Sequence, residues 1–397
     1  MKTSAGIPDK TVAAPLRSAA GSPSSRSMKS QPEKKRDSHD YRRVLDDGIT
    51  ATLRQAAKIV MADPSLLFFA ARTIISQKEA AARRCRFDRQ GICVPAAMIV
   101  SITRRCNLSC KGCYMRGRHQ EPAPEMSPDQ LASVIGQAGD LGVSFVVFAG
   151  GEPLVRKDEI LALAQKFPKI IFAVFSNGLL IDEKTTAALA ERKNIIPVLS
   201  FEGFEKETDN RRGEGVYRKL MRASAMLEEH HIFFGCSVTV TRSNHALVTD
   251  EKFVRMMIDS GCRIFTFVEY VPIQPGTEGL VLTGAQRENL AKCLNAFNTR
   301  LPAVFIGFPG DEEKFGGCLS AGRGFVHVSA AGSLEPCPAA PFSDADLTKV
   351  SLKEALQSDF LRRIRENHAM LTETDGGCAL WTNRKWTSSL LRVHDLP

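Results

Sequence analysis

No secretory leader is legible at the start of this chain: Met1–Gly6 lacks the apolar stretch such a signal needs. Nor does any run reach the about 20 apolar residues of a membrane-spanning helix. The most apolar segment, Leu66–Ile75, is short and interrupted by Arg72. Basic residues are not interleaved with aromatics in the body of the chain, so no nucleic-acid partner is expected. The G-x4-GK[ST] phosphate loop, the H-E-x-x-H metal motif and the G-x-S-x-G nucleophile elbow are missing too. Eleven cysteines are an odd number, which argues against a disulfide framework. A reducing cytoplasm, with cysteines used as ligands, is the expected setting.

The bulk composition, 43% hydrophobic and 24% charged over 397 residues, is that of a globular protein with room for more than one domain. The net charge of +9 is uneven. Residues 1–43 carry ten Lys and Arg against four Asp and Glu, so most of the basic excess lies there. That stretch is rich in Ser, Pro, Ala and Lys and reads as a disordered basic tail. Residues 44–96 follow as a helical N-terminal segment, broken near Pro64. The tail and the apolar helix leave room for peripheral membrane contact, though a packed helix pair is the better reading.

What is present in a concentrated form is cysteine. Cys106, Cys110 and Cys113 form C-x3-C-x2-C directly after the apolar run Ala97–Ile102. A fully ligated [4Fe–4S] cluster takes four cysteines, so three thiolates leave one iron open to a ligand that is not protein. Zinc is the rival, with His119 or Cys93 nearby, but neither completes a finger-like set. Three unrelated buried thiols are the plainest alternative, and the polar, Arg- and Lys-flanked loop argues against it.

From residue 97 to about 310 strands and helices alternate. The expected strands are Ala97–Ile102, Ser144–Phe148, Lys169–Phe175, Ile195–Phe201, Ile232–Val240 and Arg263–Tyr270. Helical patterns lie near 128–140, 157–166, 182–192, 215–230, 249–260 and 284–297. The first opens on Ser127-Pro128-Asp129-Gln130, a capping box with Pro at the first helical position. Six βα repeats imply an α/β fold with a parallel sheet, open or partly rolled into a barrel. Ligands in such folds sit at the C-terminal strand ends, where the three-cysteine loop falls.

The second strand runs into Gly150-Gly151-Glu152-Pro153, where paired glycines admit close approach of a ligand to backbone and a carboxylate can receive an ammonium group. Together with the cysteine spacing and the βα order, this resembles the radical S-adenosylmethionine (radical SAM) superfamily over roughly residues 97–310. The resemblance implies a partial (βα)6 barrel. It also implies a [4Fe–4S] cluster on Cys106, Cys110 and Cys113, whose open iron chelates the methionine end of S-adenosylmethionine. Reductive cleavage then yields a 5′-deoxyadenosyl radical that takes a hydrogen atom from a substrate. Within this resemblance Gly150, Gly151 and Glu152 face the cofactor's amino group. Ser176 and Asn177 end the third strand near the cofactor, and Ser200, Glu202 and Arg242 reach its ribose or carboxylate. The residue before the last cysteine is often aromatic in the family; here it is Gly112, and Tyr114 is the aromatic assigned to the adenine. Glu269 and Tyr270 end the sixth strand on opposite faces and are the candidate catalytic pair, with Glu269 as a substrate-facing acid or base.

Residues 311–397 carry a second signal. Cys318, then Gly332-x4-Cys337, then Gly376-Gly377-Cys378 resembles the SPASM/twitch extension of the same superfamily. A full SPASM domain has more cysteines, and Trp381 stands where a C-x2-C pair would close. Cys318, Cys337 and Cys378 suffice for one auxiliary [4Fe–4S] cluster, with His327 or Cys293 as candidate fourth ligand. Cys236 and Cys262 read as small core residues. Relatives with such extensions act on peptides, sugars, nucleotides and tetrapyrrole-type precursors, so the substrate stays open between a peptide, a lipid and a small-molecule intermediate. An electron donor such as flavodoxin or ferredoxin is implied. The alternative from another class is a non-catalytic iron–sulfur electron carrier or redox sensor, which needs the clusters but not Gly150–Glu152.

Overall fold

In the computed structural model the described residues are 64–118, 123–308, 317–371 and 378–391, with Gly48, Thr50 and Ile59. The chain divides into two units, Met1–Ser38 and His39–Pro397, and every described residue lies in the second. The expected basic tail and nearly all of the helical segment before Pro64 fall outside the described residues. Pro64 itself opens the helix Pro64–Asp88, a position where its missing N–H costs nothing.

All six expected strands form: β1 (Ala97–Thr103), β2 (Phe145–Gly150), β3 (Ile171–Ser176), β4 (Ile195–Phe201), β5 (Gly235–Val240) and β6 (Ile264–Glu269). Three more join them, β7 (Val304–Phe308), β8 (Phe325–Val328) and β9 (Leu334–Glu335). Among the described residues they make one sheet in the order β7-β6-β5-β4-β3-β2-β1-β8-β9. Every pairing is parallel except β8 with β9. The segment carrying the later cysteines therefore extends the same sheet through β8, alongside β1.

Alternation along each strand sends successive side chains to opposite faces. One face meets the helices: Phe148, Phe172, Leu199, Phe201, Phe265 and Phe267 belong to the main core. The helix Pro128–Leu141 on this side has the expected capping box, Ser127 Oγ accepting from Gln130 N at 3.2 Å and Gln130 Oε1 from Ser127 N at 2.9 Å. On the other face a smaller apolar cluster, Ile171, Ile196 and Val198 with Phe145, Phe175 and Ile264, fills the lower interior. Above it the register lines up Ser200, Ser237 and Thr266 on neighbouring strands, a row of hydroxyls.

The sheet is strongly curled. Seven strand spacings separate β7 from β8, roughly 34 Å if the sheet were flat. The rings of Phe308 on β7 and Phe325 on β8 nevertheless lie 5.3 Å apart. β7 and β9 remain the two ends of the ladder, so the barrel is partial and open.

Candidate active site

The loop after β1 holds Cys106, Cys110 and Cys113 at the C-terminal edge of the sheet. Two backbone bonds fasten it to the end of β2, Gly151 N to Thr103 O and Glu152 N to Arg105 O, each 2.8 Å. Glycine is required there. A Cβ on Gly150, whose φ is +111°, would lie 2.5 Å from Thr103 O, and one on Gly151 would lie 2.1 Å from Arg105 O. The close approach leaves the Gly150–Gly151 backbone as the wall beside the cysteines.

Glu152 is 1% exposed, and its carboxylate is used inside the protein. Oε1 accepts from Leu154 N at 3.0 Å and Ser176 Oγ at 2.8 Å, and Oε2 from Asn177 N at 2.8 Å. Burial pushes its pKa up, against these hydrogen bonds. Glu152 thus ties the β2 end to the β3 end, and the contact surface offered to a ligand is backbone. Asn177 carries the tie onward, its Nδ2 donating to Asn107 Oδ1 at 2.7 Å beside Cys106. Tyr114, expected at the adenine, turns its hydroxyl to the Gly150 N–H at 3.3 Å.

Across the opening, the cysteine loop docks on the helix Glu205–Arg212: Lys111 N donates to Arg211 O at 2.9 Å and Arg211 Nε to Lys111 O at 3.1 Å. Glu202, just past β4, gathers both arginines on one oxygen. Its Oε1 accepts from Arg212 Nη2 at 2.6 Å, from Arg212 Nε at 2.9 Å and from Arg211. Its Oε2 is buried and has no partner among the described residues. Burial raises the Cys106 and Cys110 thiols, while Arg212 and Arg211 pull Cys110 back towards the thiolate that iron binds. The Arg211-Arg212-Gly213 run was visible in the sequence, but nothing local said that it would meet Glu202.

Ser200 faces the interior in the hydroxyl row. Arg242 does not turn inward: it is exposed, and its Nε donates to Val281 O at 3.0 Å. The reading of Glu269 as a substrate-facing acid or base is corrected as well. Glu269 shares the helix-facing side with Phe265 and Phe267, is 3% exposed, and pairs with Arg287 Nε at 2.9 Å. Tyr270 takes the opposite, interior side, against Gly112.

The later cysteines also converge. Cys318, Cys337 and Cys378 are buried. A hydrogen bond between the Cys337 and Cys378 side chains raises Cys337 and lowers Cys378. The field of Cys318 adds to the rise at Cys337, and that of Glu269 opposes the fall at Cys378. Arg323 braces Cys318 by donating to its carbonyl at 2.7 Å. Gly376 and Gly377 lie outside the described residues. His327 cannot be the fourth ligand, because it is fully buried with both ring nitrogens engaged, Nε2 with Ser101 Oγ at 2.8 Å and Nδ1 with Glu335 at 2.6 Å. Cys293 stays on the helix Gly284–Arg300, its Sγ 3.7 Å from Asn289 Oδ1. Among the described residues no three His, Cys, Asp or Glu side chains could hold a single metal ion. A cubane spreads its cysteines over separate irons, and the donor chemistry of both thiol sets fits one.

An open parallel barrel with a three-thiol loop and a glycine wall at its strand ends defines the class, a fold that holds an incompletely ligated iron–sulfur cluster. The family model of the Radical SAM superfamily matches residues 100–258. A probable GTP 3′,8-cyclase of Methanosarcina mazei is 38% identical over 267 residues, covering 60% of this chain and 76% of that protein. An Fe-coproporphyrin III synthase of Methanosarcina barkeri is 32% identical over 151 residues, and the match spans only 37% of that relative. In fold the chain is similar to Streptococcus suis SuiB bound to S-adenosylmethionine, with a TM-score of 0.59 at 18% identity over 80% of this chain and 76% of SuiB. The chain belongs to the radical SAM superfamily, whose members use a [4Fe–4S] cluster and S-adenosylmethionine. Among the described residues no helix is long and apolar enough to cross a membrane.

Proposed function

We propose that this chain is a radical SAM enzyme that removes a hydrogen atom from a substrate held in the barrel interior. The observation that carries this reading is the pair of 2.8 Å backbone bonds locking the three-cysteine loop to Gly151 and Glu152. When bound, the cluster and S-adenosylmethionine supply the reductive cleavage and the 5′-deoxyadenosyl radical. The protein's part is placement. Cys106, Cys110 and Cys113 would hold the cluster, and the Gly150–Gly151 backbone would receive the cofactor's amino group. The unpartnered Oε2 of Glu202 would accept from a ribose hydroxyl, a role that a buried carboxylate oxygen suits. The hydroxyls of Ser200, Ser237 and Thr266 line the interior towards the substrate.

Residues 311–397 serve in this reading as the auxiliary-cluster domain on Cys318, Cys337 and Cys378. A flavodoxin- or ferredoxin-like protein supplies the electron in a reducing cytoplasm. The substrate is a peptide, a lipid or a small biosynthetic intermediate. Anaerobic purification, reconstitution with iron and sulfide, and assay for reductant-dependent 5′-deoxyadenosine test the reading. Cys110→Ala abolishes that product, while Cys337→Ala lowers the iron count and spares the first cluster. A fully reconstituted wild type that makes no 5′-deoxyadenosine overturns it.

A further inference from the structure

Tyr270 is a buried phenol whose hydroxyl is left over. It follows β6 directly, and its N–H donates to Val240 O at 2.9 Å, so the strand alternation continues through it. It therefore shares the interior side with Ile264, Thr266 and Val268. The residue is 3% exposed. Its ring reaches across to the cysteine loop at Gly112, the neighbour of Cys113. A Cβ on Gly112 would stand 2.6 Å from Tyr270 Oη, 3.0 Å from Cε2 and 3.2 Å from Cζ. Only a glycine, here with φ +65°, lets the phenol come this close to the loop backbone.

The hydroxyl is fully shielded from solvent and has no hydrogen-bond partner among the described residues. Leaving such a group unpaired carries its full desolvation penalty with nothing to offset it. Phenylalanine would give the same packing without that cost, and this chain uses Phe 22 times against four Tyr. A tyrosine at this position is accounted for if its acceptor arrives with the group that the cysteine loop binds.

We propose that Tyr270 donates its phenolic proton to that group, which rests on the radical SAM reading above. The acceptor is a sulfur of the cluster or a polar atom on the nucleoside of S-adenosylmethionine. In either case Tyr270 is a positioning and tuning residue at the first cluster, and Gly112 is glycine in order to admit it.

The test uses the reconstituted full chain and Tyr270→Phe, with iron and sulfide content matched. Two quantities are measured, the cluster's midpoint potential without S-adenosylmethionine and the Kd of S-adenosylmethionine by calorimetry. If the acceptor is a cluster sulfur, Tyr270→Phe lowers the midpoint potential, since a hydrogen bond to sulfur favours the reduced cluster, and leaves Kd unchanged. If it is the nucleoside, the potential holds and Kd rises roughly fivefold. An unchanged potential together with an unchanged Kd overturns the proposal. Gly112→Ala gives a second route, because its Cβ pushes the phenol away. It shifts the same quantity in the same direction, and a shift of the opposite sign also counts against the proposal. A wild type that holds its cluster yet neither binds nor cleaves S-adenosylmethionine refutes the enzyme reading instead, and leaves the potential measurement to judge Tyr270.

Discussion

Gly151→Ala puts the architecture of the site to its most direct test. The new methyl would stand 2.1 Å from Arg105 O, 2.6 Å from Arg105 C and 2.9 Å from Arg104 C, all main-chain atoms with no flexible end to swing away. Ordinary contact begins near 3.4 Å, so the two backbones must part by about 1.3 Å. That separation removes or stretches the 2.8 Å bond from Glu152 N to Arg105 O and moves Cys106, the next residue. Overpacking of this kind costs about 1–3 kcal/mol, or about 2–6 °C in Tm at roughly 2 °C per kcal/mol for a chain of this size. Displacement of a reacting group by about 1 Å lowers rate on the order of 100-fold. Thermal melts of the apo chain and the rate of 5′-deoxyadenosine formation by the reconstituted chain are the readouts. Gly279→Ala is the control, since its Cβ would meet nothing within 4 Å. If Gly151→Ala matches the control in both Tm and rate, the close contact between the β2 end and the cysteine loop does not exist as described.

Two further outcomes follow from buried charge. Glu202→Ala leaves Arg211 and Arg212, 17% and 12% exposed, without their carboxylate. Stranding one side of such a pair costs about 3 kcal/mol, read as a lower urea midpoint, and a midpoint equal to wild type contradicts the pairing. Burial holds His327 below its ordinary value of 6.5, partly countered by Glu335. A histidine depressed in the folded state supports stability above the unfolded pKa and loses it as pH falls, so Tm declines below about pH 6.5. His245 and His368 are depressed in the same sense. His327→Gln should therefore flatten the decline without abolishing it, and an unaltered slope would assign the pH dependence elsewhere.

Much of this molecule follows from its sequence alone. The six strands and the capping box at Ser127 were legible because strand and helix periods and caps are written within a few residues of one another. The cysteine spacing and Gly150–Glu152 were legible for the same reason, and their common location at strand ends follows from βα order. β7, β8 and β9 were harder: they are short, and β8 finds its place beside β1 only through the fold. What tertiary structure alone decided is which partner each polar side chain meets. Ser101 and His327 bond across 226 residues, which withdraws His327 from the auxiliary cysteines. The same holds for Glu202 with its two arginines and for Glu269 turned to Arg287. It holds again for Tyr270 against Gly112, where a missing Cβ in one loop matters only because a phenol from a distant strand occupies the space. Local pattern sets periodicity and loop chemistry, but a buried hydrogen bond or ion pair depends on separation in space, which the curl of the sheet determines.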